Sequence, residues 1–347
     1  MENKKNTLND IDITDVTSDF DYFNKKFGDQ GLDSYKPVER ISTGFDSIDA
    51  LLGNGLVPGI YAFAATSGLG KSTLCKNIAD NIARSGREVI FYSLELNRDV
   101  MLFKSLARIG LDDNGGLYQR APSFEELLTK NSSTLSIVKR DTSENAYCEY
   151  MSKIAPRMHV ITETQVDQGG LKHFLEKLEK LIASLSKEKP CVVFIDYLQY
   201  LFFGGDRDIR LQIDETVRKL HEIADKHRTP IILVNSTSKG ATHDKTGSDE
   251  YIKESEGIKF TAVATLVLYQ NIDSTSDEFK KAKEHRRRPM WLNIRKNRYG
   301  KPDLRIPLEF DGAYATFKEM PNTKPVSIYG KKDAKDSSEK KTQNRKR

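Results

Sequence analysis

Apolar segments alternate with helical segments along the middle of this 347-residue chain. The apolar segments have the length of buried strands, and the segments between them carry apolar residues at helical spacing. Strands that are apolar on both faces and separated by helices are typical of a parallel sheet with helices on both sides. The predicted strands are GIYAFAAT (59–66), EVIFYSLEL (88–96), MHVITE (158–163), CVVFIDYLQYL (191–201) and PIILVNS (230–236).

Four further strand-like segments follow without helical patterns between them: TLVLYQ, MWLNIRKN, LRIPLEF and YATFKE. Such a run indicates hairpins. The predicted fold class is therefore α/β, with a mostly parallel, doubly wound sheet and an antiparallel C-terminal extension. Clusters of Gly, Ser and Asn leave residues 112–157 without a clear secondary-structure pattern.

Charge is distributed unevenly along the chain, although the net charge is only +5. Residues 1–36 hold five lysines and eight acidic residues, whereas residues 280–305 hold eleven Lys or Arg and two acidic residues. From charge alone, the basic segment fits binding to nucleic-acid phosphates and a solvated surface equally well. We expect residues 1–36 to form an acidic, flexible arm, residues 37–319 the folded domain, and residues 320–347 a basic, disordered tail.

Several classes of protein are excluded by composition. No segment approaches the roughly 18–20 apolar residues that cross a bilayer, and the first residues lack the apolar region of a secretory signal. The three cysteines are far apart in sequence, so they indicate neither a disulfide framework nor a zinc site. A cytoplasmic protein without a membrane partner is expected.

One loop carries the strongest chemical signal. AATSGLGKST, residues 64–73, matches the phosphate-loop pattern G-x-x-x-x-G-K-[ST] except that Ala65 replaces the first glycine. Backbone N–H groups at a helix start hold phosphates, Lys71 reaches the β- and γ-phosphates, and Ser72 ligates magnesium. A small residue suffices at position 65 if its φ is negative. We predict an ATP and Mg²⁺ site formed by Ala65, Thr66, Ser67, Gly68, Leu69, Gly70, Lys71, Ser72 and Thr73.

Two carboxylates at predicted strand ends supply the rest of the chemistry. Asp196 ends the apolar run CVVFID, where a magnesium-holding acid is expected, although a strand-capping Asp is the alternative. Glu95, in FYSLEL, is predicted to be the base for the attacking water, with a solvated strand-end acid as the alternative. Both strands should end at the same sheet edge, where open α/β sheets build their sites.

These segments together resemble the DnaB-type replicative helicases. TGFDSIDALLGNGLVPG, the phosphate loop, FYSLEL, FIDYLQYL, ESEGIKFTAVATLVLY and RKNRYG occur in the order typical of that family. The resemblance covers residues 40–318, the RecA-like motor domain, without the family's N-terminal domain. Alanine is common in the family at the place of Ala65. The resemblance implies a RecA-like P-loop ATPase that forms a ring, usually a hexamer, and translocates on single-stranded DNA during replication in a bacterium, phage or mobile element.

Site residues carry over from the family position by position. Glu95 matches the catalytic glutamate and Asp196 the magnesium-side aspartate. Lys296 and Arg298 match a basic pair that the neighbouring subunit inserts towards the γ-phosphate, a role that a trans arginine performs well. Without the resemblance, this pair would be assigned to a nucleic-acid patch or a solvated strand face.

Two loops match DNA-binding segments of the family, and two positions depart from its pattern. Lys253 and Glu254 lie in KESEG, a segment that usually reads R-E-S-G in the family. Glu256 stands where the family commonly has glycine. Lys239 flanks a second central loop. At the end of the strand PIILVNS the family has a γ-phosphate-sensing glutamine, whereas this chain has Asn235 and Ser236 at the corresponding positions. The departures concern the coupling of hydrolysis to DNA and leave the nucleotide-binding motif intact.

The resemblance also implies partners: single-stranded DNA, further copies of this chain, and a primase or helicase loader. Two other interpretations of the function stay open. A RadA-like recombination motor shares GLVPG and the K-N-R-[FY]-G element, although RadA proteins usually carry a four-cysteine zinc module. A regulatory ATPase of the same fold would act through protein partners without unwinding DNA.

Overall fold

The computed structural model describes residues 18–34, 37–129, 135–162, 170–197, 209–236, 256–270, 287–320 and 325–328. The chain divides into two compact units, Met1–Glu39 and Arg40–Arg347. Among the described helices, none is both long enough and apolar enough to pass through a bilayer.

The first unit contains one α-helix in its described part. Helix α1, Asp19–Phe27, begins at Ser18, whose hydroxyl accepts a hydrogen bond from the Asp21 N–H at 3.1 Å. A 3₁₀ segment, Gly28–Ser34, follows it. The aromatics Phe20, Tyr22 and Phe23 are exposed, and α1 buries none of its residues. The sequence FDYFNKKF therefore lies in a short helix with exposed aromatic side chains.

The second unit is built on one sheet. Its strands are β1 Gly59–Ala65, β2 Val89–Ser93, β3 Met158–Thr162, β4 Val192–Asp196, β5 Pro230–Ser236, β6 Ala264–Tyr269, β7 Arg287–Asn297, β8 Leu304–Asp311, β9 Thr316–Glu319 and β10 Val326–Ser327. Their spatial order is β10-β8-β7-β6-β1-β5-β4-β2-β3, with β9 also on β8. Strands β1 to β6 pair in parallel, whereas β7 to β10 pair antiparallel. The predicted fold class is confirmed.

Helices cover both faces of this sheet. They are α2 Asp46–Leu51, α3 Lys71–Arg84, α4 Arg98–Asp113, α5 Phe124–Thr129, α6 Ile137–Glu149, α7 Gly170–Leu185, α8 Ile209–Lys226 and α9 Glu256–Thr261. Side chains of β1 alternate between two cores: Tyr61 and Phe63 pack with α3 and α4, and Ile60 and Ala62 pack with α7, α8 and α9. Burial on both faces explains why the strand sequences are apolar throughout.

Two regions contain structure that the sequence patterns did not indicate. The described residues of 112–129 and 135–157 form the end of α4, then α5 and α6, a π-helical segment Tyr150–Ile154 and a 3₁₀ turn Ala155–Arg157 that leads into β3. Residues 325–328, inside the predicted tail, include β10, which pairs with the start of β8.

Candidate nucleotide-binding site

The phosphate loop lies between the end of β1 and the start of α3. Gly68 and Gly70 have φ of +82° and +92°, a left-handed conformation that glycine adopts without strain. A Cβ on Gly70 would also come within 3.0 Å of the Phe317 ring. Gly70 is the N-cap of α3 and supplies no capping side chain, so the first N–H groups of the helix point at the loop. Ala65 is a buried, extended strand residue, which is why a small side chain suffices there.

The two predicted carboxylates meet at this same edge of the sheet. Strand β4 pairs with β2 and β5, so Asp196 lies beside Ser93 and Val234. Glu95 follows β2 directly, and the neighbouring Leu94 N–H donates to the Asp196 carbonyl at 2.8 Å. The parallel arrangement thus places both acids beside the phosphate loop, as the sequence predicted.

Asp196 is the most buried charged group of the site, with 1% of its surface exposed. Burial raises the pKa of its carboxyl group, and the Glu95 charge raises it as well. The hydrogen bond from Ser72 and the charges of Lys71 and Lys104 lower this pKa. The Oδ1 atom is buried and accepts no hydrogen bond from the described residues. An unpartnered buried acceptor beside a phosphate-loop serine fits a magnesium ion, which P-loop NTPases hold with these two residue types.

Within the described ranges, no group of three or more His, Cys, Asp or Glu side chains could hold an ion. Mg²⁺ needs no such group, because it takes one or two protein oxygens and completes its shell with substrate phosphates and water. Ser72 and Asp196 are the residues that would hold it.

Two lysines converge on these acids. Lys71 is buried, with its Nζ 5.8 Å from the centre of the Tyr197 ring. Lys104, on α4, donates a hydrogen bond of 3.3 Å to the Thr73 Oγ1. Burial lowers the pKa of Lys104, while the carboxylates of Asp196 and Glu95 raise it. Sequence reasoning missed Lys104; the available signal was a lysine one helical turn after Met101 on the buried face of α4.

Lys296 and Arg298 lie at the opposite edge of the sheet, where the parallel strands begin. Lys296 pairs with Thr265 near the start of β6, and the Arg298 N–H donates to the Val263 carbonyl at 2.9 Å. Val263 in turn bonds to Ile60, near the start of β1, whereas the phosphate loop follows the end of β1. The structure therefore does not bring the basic pair to the phosphate loop of its own chain.

Instead, the basic pair holds the end of α9. Lys296 Nζ donates to the carbonyls of Lys259 and Phe260 at 2.6 and 2.7 Å, and Arg298 Nη2 donates to Phe260 at 2.8 Å. Cations are favoured at this end of a helix, because its last carbonyls carry partial negative charge. Burial lowers the pKa of Lys296, and the neighbouring Arg298 charge lowers it further.

Residues 40–319 match the profile of the DnaB-like helicase C terminal domain. The chain belongs to this family. The replicative DNA helicase DnaB of Pasteurella multocida (strain Pm70) is 24% identical over 302 residues, which is 85% of this chain and 58% of that protein. The match thus spans less than two thirds of that relative's length.

Two solved structures share the fold. One is an isolated ATPase domain, which aligns with a TM-score of 0.67 and 17% identity over 82% of this chain and 92% of that one. The other is a DnaB-like replicative helicase, described with its interactions with primase, which aligns with a TM-score of 0.67 and 18% identity over 83% of this chain and 66% of that one. The RecA-like fold expected from the sequence is confirmed.

The family's sensor position falls on β5, which lies between β1 and β4. Asn235 pairs with Ala64 and is fully buried, and its Nδ2 donates to the Leu233 carbonyl at 3.2 Å. Ser236, the last residue of β5, pairs with Ala65. The backbone at this position is therefore beside the phosphate loop, although the residue types differ from the family pattern.

The predicted DNA-binding residues Lys239, Lys253 and Glu254 lie outside the described residues. Helix α9 begins at Glu256, directly after them. Their role and the roles of the other site residues remain predictions.

Proposed function

We propose that this chain is the motor of a ring-forming helicase that hydrolyses ATP and moves along single-stranded DNA in replication. Membership of the DnaB-like helicase family supports the replicative role. One observation supports the ring: the phosphate loop and the basic pair lie at opposite edges of the same sheet. A site that needs both must be made by two copies of the chain, each giving one edge. Head-to-tail contacts of this kind close into a ring when the rotation between neighbouring copies closes.

In the proposed mechanism, backbone N–H groups of the loop and the Lys71 ammonium bind the β- and γ-phosphates. A magnesium ion held by Ser72 and Asp196 would neutralise charge on the phosphoryl oxygens. Glu95 accepts the proton of the attacking water, because it lies beside the site and is exposed to solvent. Lys296 and Arg298 of the neighbouring copy stabilise the charge that spreads over the γ-phosphoryl group.

Contacts of α9 support coupling to DNA. The residues before α9 include Lys253 and Glu254, for which we propose contact with the DNA backbone. The last carbonyls of α9 are bonded to Lys296 and Arg298. A shift of these two cations towards a neighbouring phosphate would therefore pull on the helix that follows the DNA loop. A primase or a helicase loader is a further proposed partner.

The test is an ATPase assay with and without single-stranded DNA, paired with unwinding of a forked duplex. We expect DNA to stimulate hydrolysis and ATP to drive strand separation. The Glu95→Gln variant is the matched control: it keeps shape and nucleotide binding but loses the base, so turnover should fall about 10²–10⁴-fold. Strong turnover that ignores DNA would favour a regulatory ATPase, and DNA pairing without unwinding would favour a RadA-like motor.

A further inference from the structure

Lys104 is a charged side chain in the nucleotide site that the proposed mechanism leaves without a role. It lies on α4, a helix that begins shortly after Glu95 and is capped by the Asn97 side chain. Its Nζ contacts the Thr73 Oγ1 at 3.3 Å and lies 6.0 Å from the centre of the Phe124 ring. The amine therefore sits between α3, α5 and the edge of the sheet.

The charges that face Lys104 explain why an amine is placed there. The Asp196 and Glu95 carboxylates attract it, and Lys76 on α3 repels it. Lys71 balances the Asp196 charge as well, but a bound triphosphate would take that lysine for itself. Lys104 then still faces both acids from the protein side.

Glu95 needs such a cation. Its side chain is exposed. A free carboxylate next to bound phosphates is repelled by their charge, and Asp196 adds to the repulsion. A cation behind Glu95 offsets both, and so holds the base at the edge of the site.

We propose that Lys104 is a positioning residue, which holds the Glu95 carboxylate at the site and is itself held by Thr73. The proposal rests on the proposed function, because it assigns Lys104 to the hydrolysis carried out there. It names no contact of Lys104 with ATP.

A purely structural role is served by other residues. Ser105 of α4 already links the two helices, because its hydroxyl donates to the buried Asp80 carboxylate of α3 at 2.8 Å and accepts from Lys76. Arg108 of α4 adds a hydrogen bond of 2.9 Å to the Asn77 carbonyl. These contacts join the two helices without Lys104, which is only half-buried.

The experiment compares Lys104→Met, Lys104→Arg and Lys172→Met in steady-state ATP hydrolysis of the full chain. Lys172, on α7, has a side chain that is 92% exposed and serves as the matched control. Lys104→Met should lower kcat by about 10–100-fold, the usual effect of a residue that orients a catalytic group, and change KM for ATP by less than about threefold. Lys104→Arg should recover most of kcat, and Lys172→Met should behave as the unchanged protein.

Thermal unfolding of each variant separates positioning from folding. Lys104→Met removes a half-buried cation, and because the contacts of Ser105 and Arg108 still join α3 to α4, its Tm should stay close to that of the unchanged protein while kcat falls. The proposal is overturned if Lys104→Met keeps kcat within about twofold, if only KM changes, or if Lys104→Arg is no better than Lys104→Met. Glu95→Gln, measured alongside, keeps the two ideas apart: turnover that survives that change would refute the proposed site itself.

Discussion

Asp196 shows how this chain gives up stability for a site. Its carboxylate is almost completely buried, and the Oδ1 atom has no hydrogen-bond donor among the described residues. Burial raises the pKa of the group, which means that the folded protein disfavours its charge. A residue selected for folding would be neutral at this place, so the retained acid points to a bound cation.

We predict that Asp196→Asn stabilises the ligand-free protein and abolishes magnesium-dependent hydrolysis. Asparagine keeps the shape and can still accept the Ser72 hydrogen bond, but it removes the buried negative charge. The free energy of unfolding should rise by about 1 kcal/mol, measured by urea denaturation at pH 7 without nucleotide.

The matched control is Asp225→Asn, on the exposed surface of α8, which should change neither quantity. The sign is informative at lower pH as well: as pH falls through the raised pKa of Asp196, the charge is lost and the advantage of asparagine should shrink. A variant that is less stable than the unchanged protein at pH 7 would mean that the carboxylate is well satisfied without a metal.

Sequence reasoning at the residue scale reached the groups whose place is fixed by a strand end. Asp196 and Glu95 could be predicted because parallel strands end at one edge, and Lys71 and Ser72 because they follow β1 directly. Lys104 could not be predicted in the same way. Its contact with Thr73 joins two helices through side-chain packing, and a lysine in an amphipathic helix is usually a surface residue.

At the scale of elements, the contact between α3 and α4 fixes the phosphate loop relative to Glu95. Lys76 is buried, donates to Asp80 and to the Ser105 hydroxyl, and lies 5.5 Å from the centre of the Tyr150 ring. Burial lowers the pKa of Lys76, and the Asp80 charge opposes this. The pair sits one to two turns after the loop, so its loss should be felt in both helices.

We predict that Asp80→Ala lowers the free energy of unfolding by about 3–5 kcal/mol, because it leaves the Lys76 charge buried without a partner. The double variant Lys76→Met/Asp80→Ala should recover part of that loss, since it buries no charge. Urea denaturation of the two variants measures the difference. Equal instability of both would show that lost packing, and not the unpaired charge, sets the cost.

Elements differ in how far their sequences predict them. The strands β1, β2, β4 and β5 are nearly continuous apolar runs, and α3, α7 and α8 carry clear helical spacing, so each could be predicted from local pattern. Helix α6 could not, because only Thr142 and Ala146 of it are buried. It packs on α4 through a close approach to Gly110, where an added Cβ would lie 3.1 Å from Thr142. Such a contact leaves no periodic apolar stripe.

At the scale of the whole molecule, the sheet separates the two halves of the proposed site. The phosphate loop, Asp196 and Glu95 are at the edge where the parallel strands end, and Lys296 and Arg298 are towards the edge where they begin. In the proposed mechanism, a subunit with a mutated phosphate-loop half still supplies an intact basic pair to its neighbour. Two inactive variants that are mutated in different halves should therefore complement each other. A site built within one chain would not allow such repair.

This gives a prediction for mixtures of inactive variants. Glu95→Gln and the double variant Lys296→Ala/Arg298→Ala should each be inactive alone. When the two are mixed and assembled together, up to about a quarter of the turnover should return. The reason is that a random ring places an intact loop edge against an intact basic edge at about one contact in four. Mixing Glu95→Gln with Lys71→Met is the matched control: both lesions lie in the same half, so no contact is complete and no turnover should return. Recovery of turnover in both mixtures would indicate contamination by active protein. Recovery of turnover in neither mixture would place the basic pair outside the hydrolytic site.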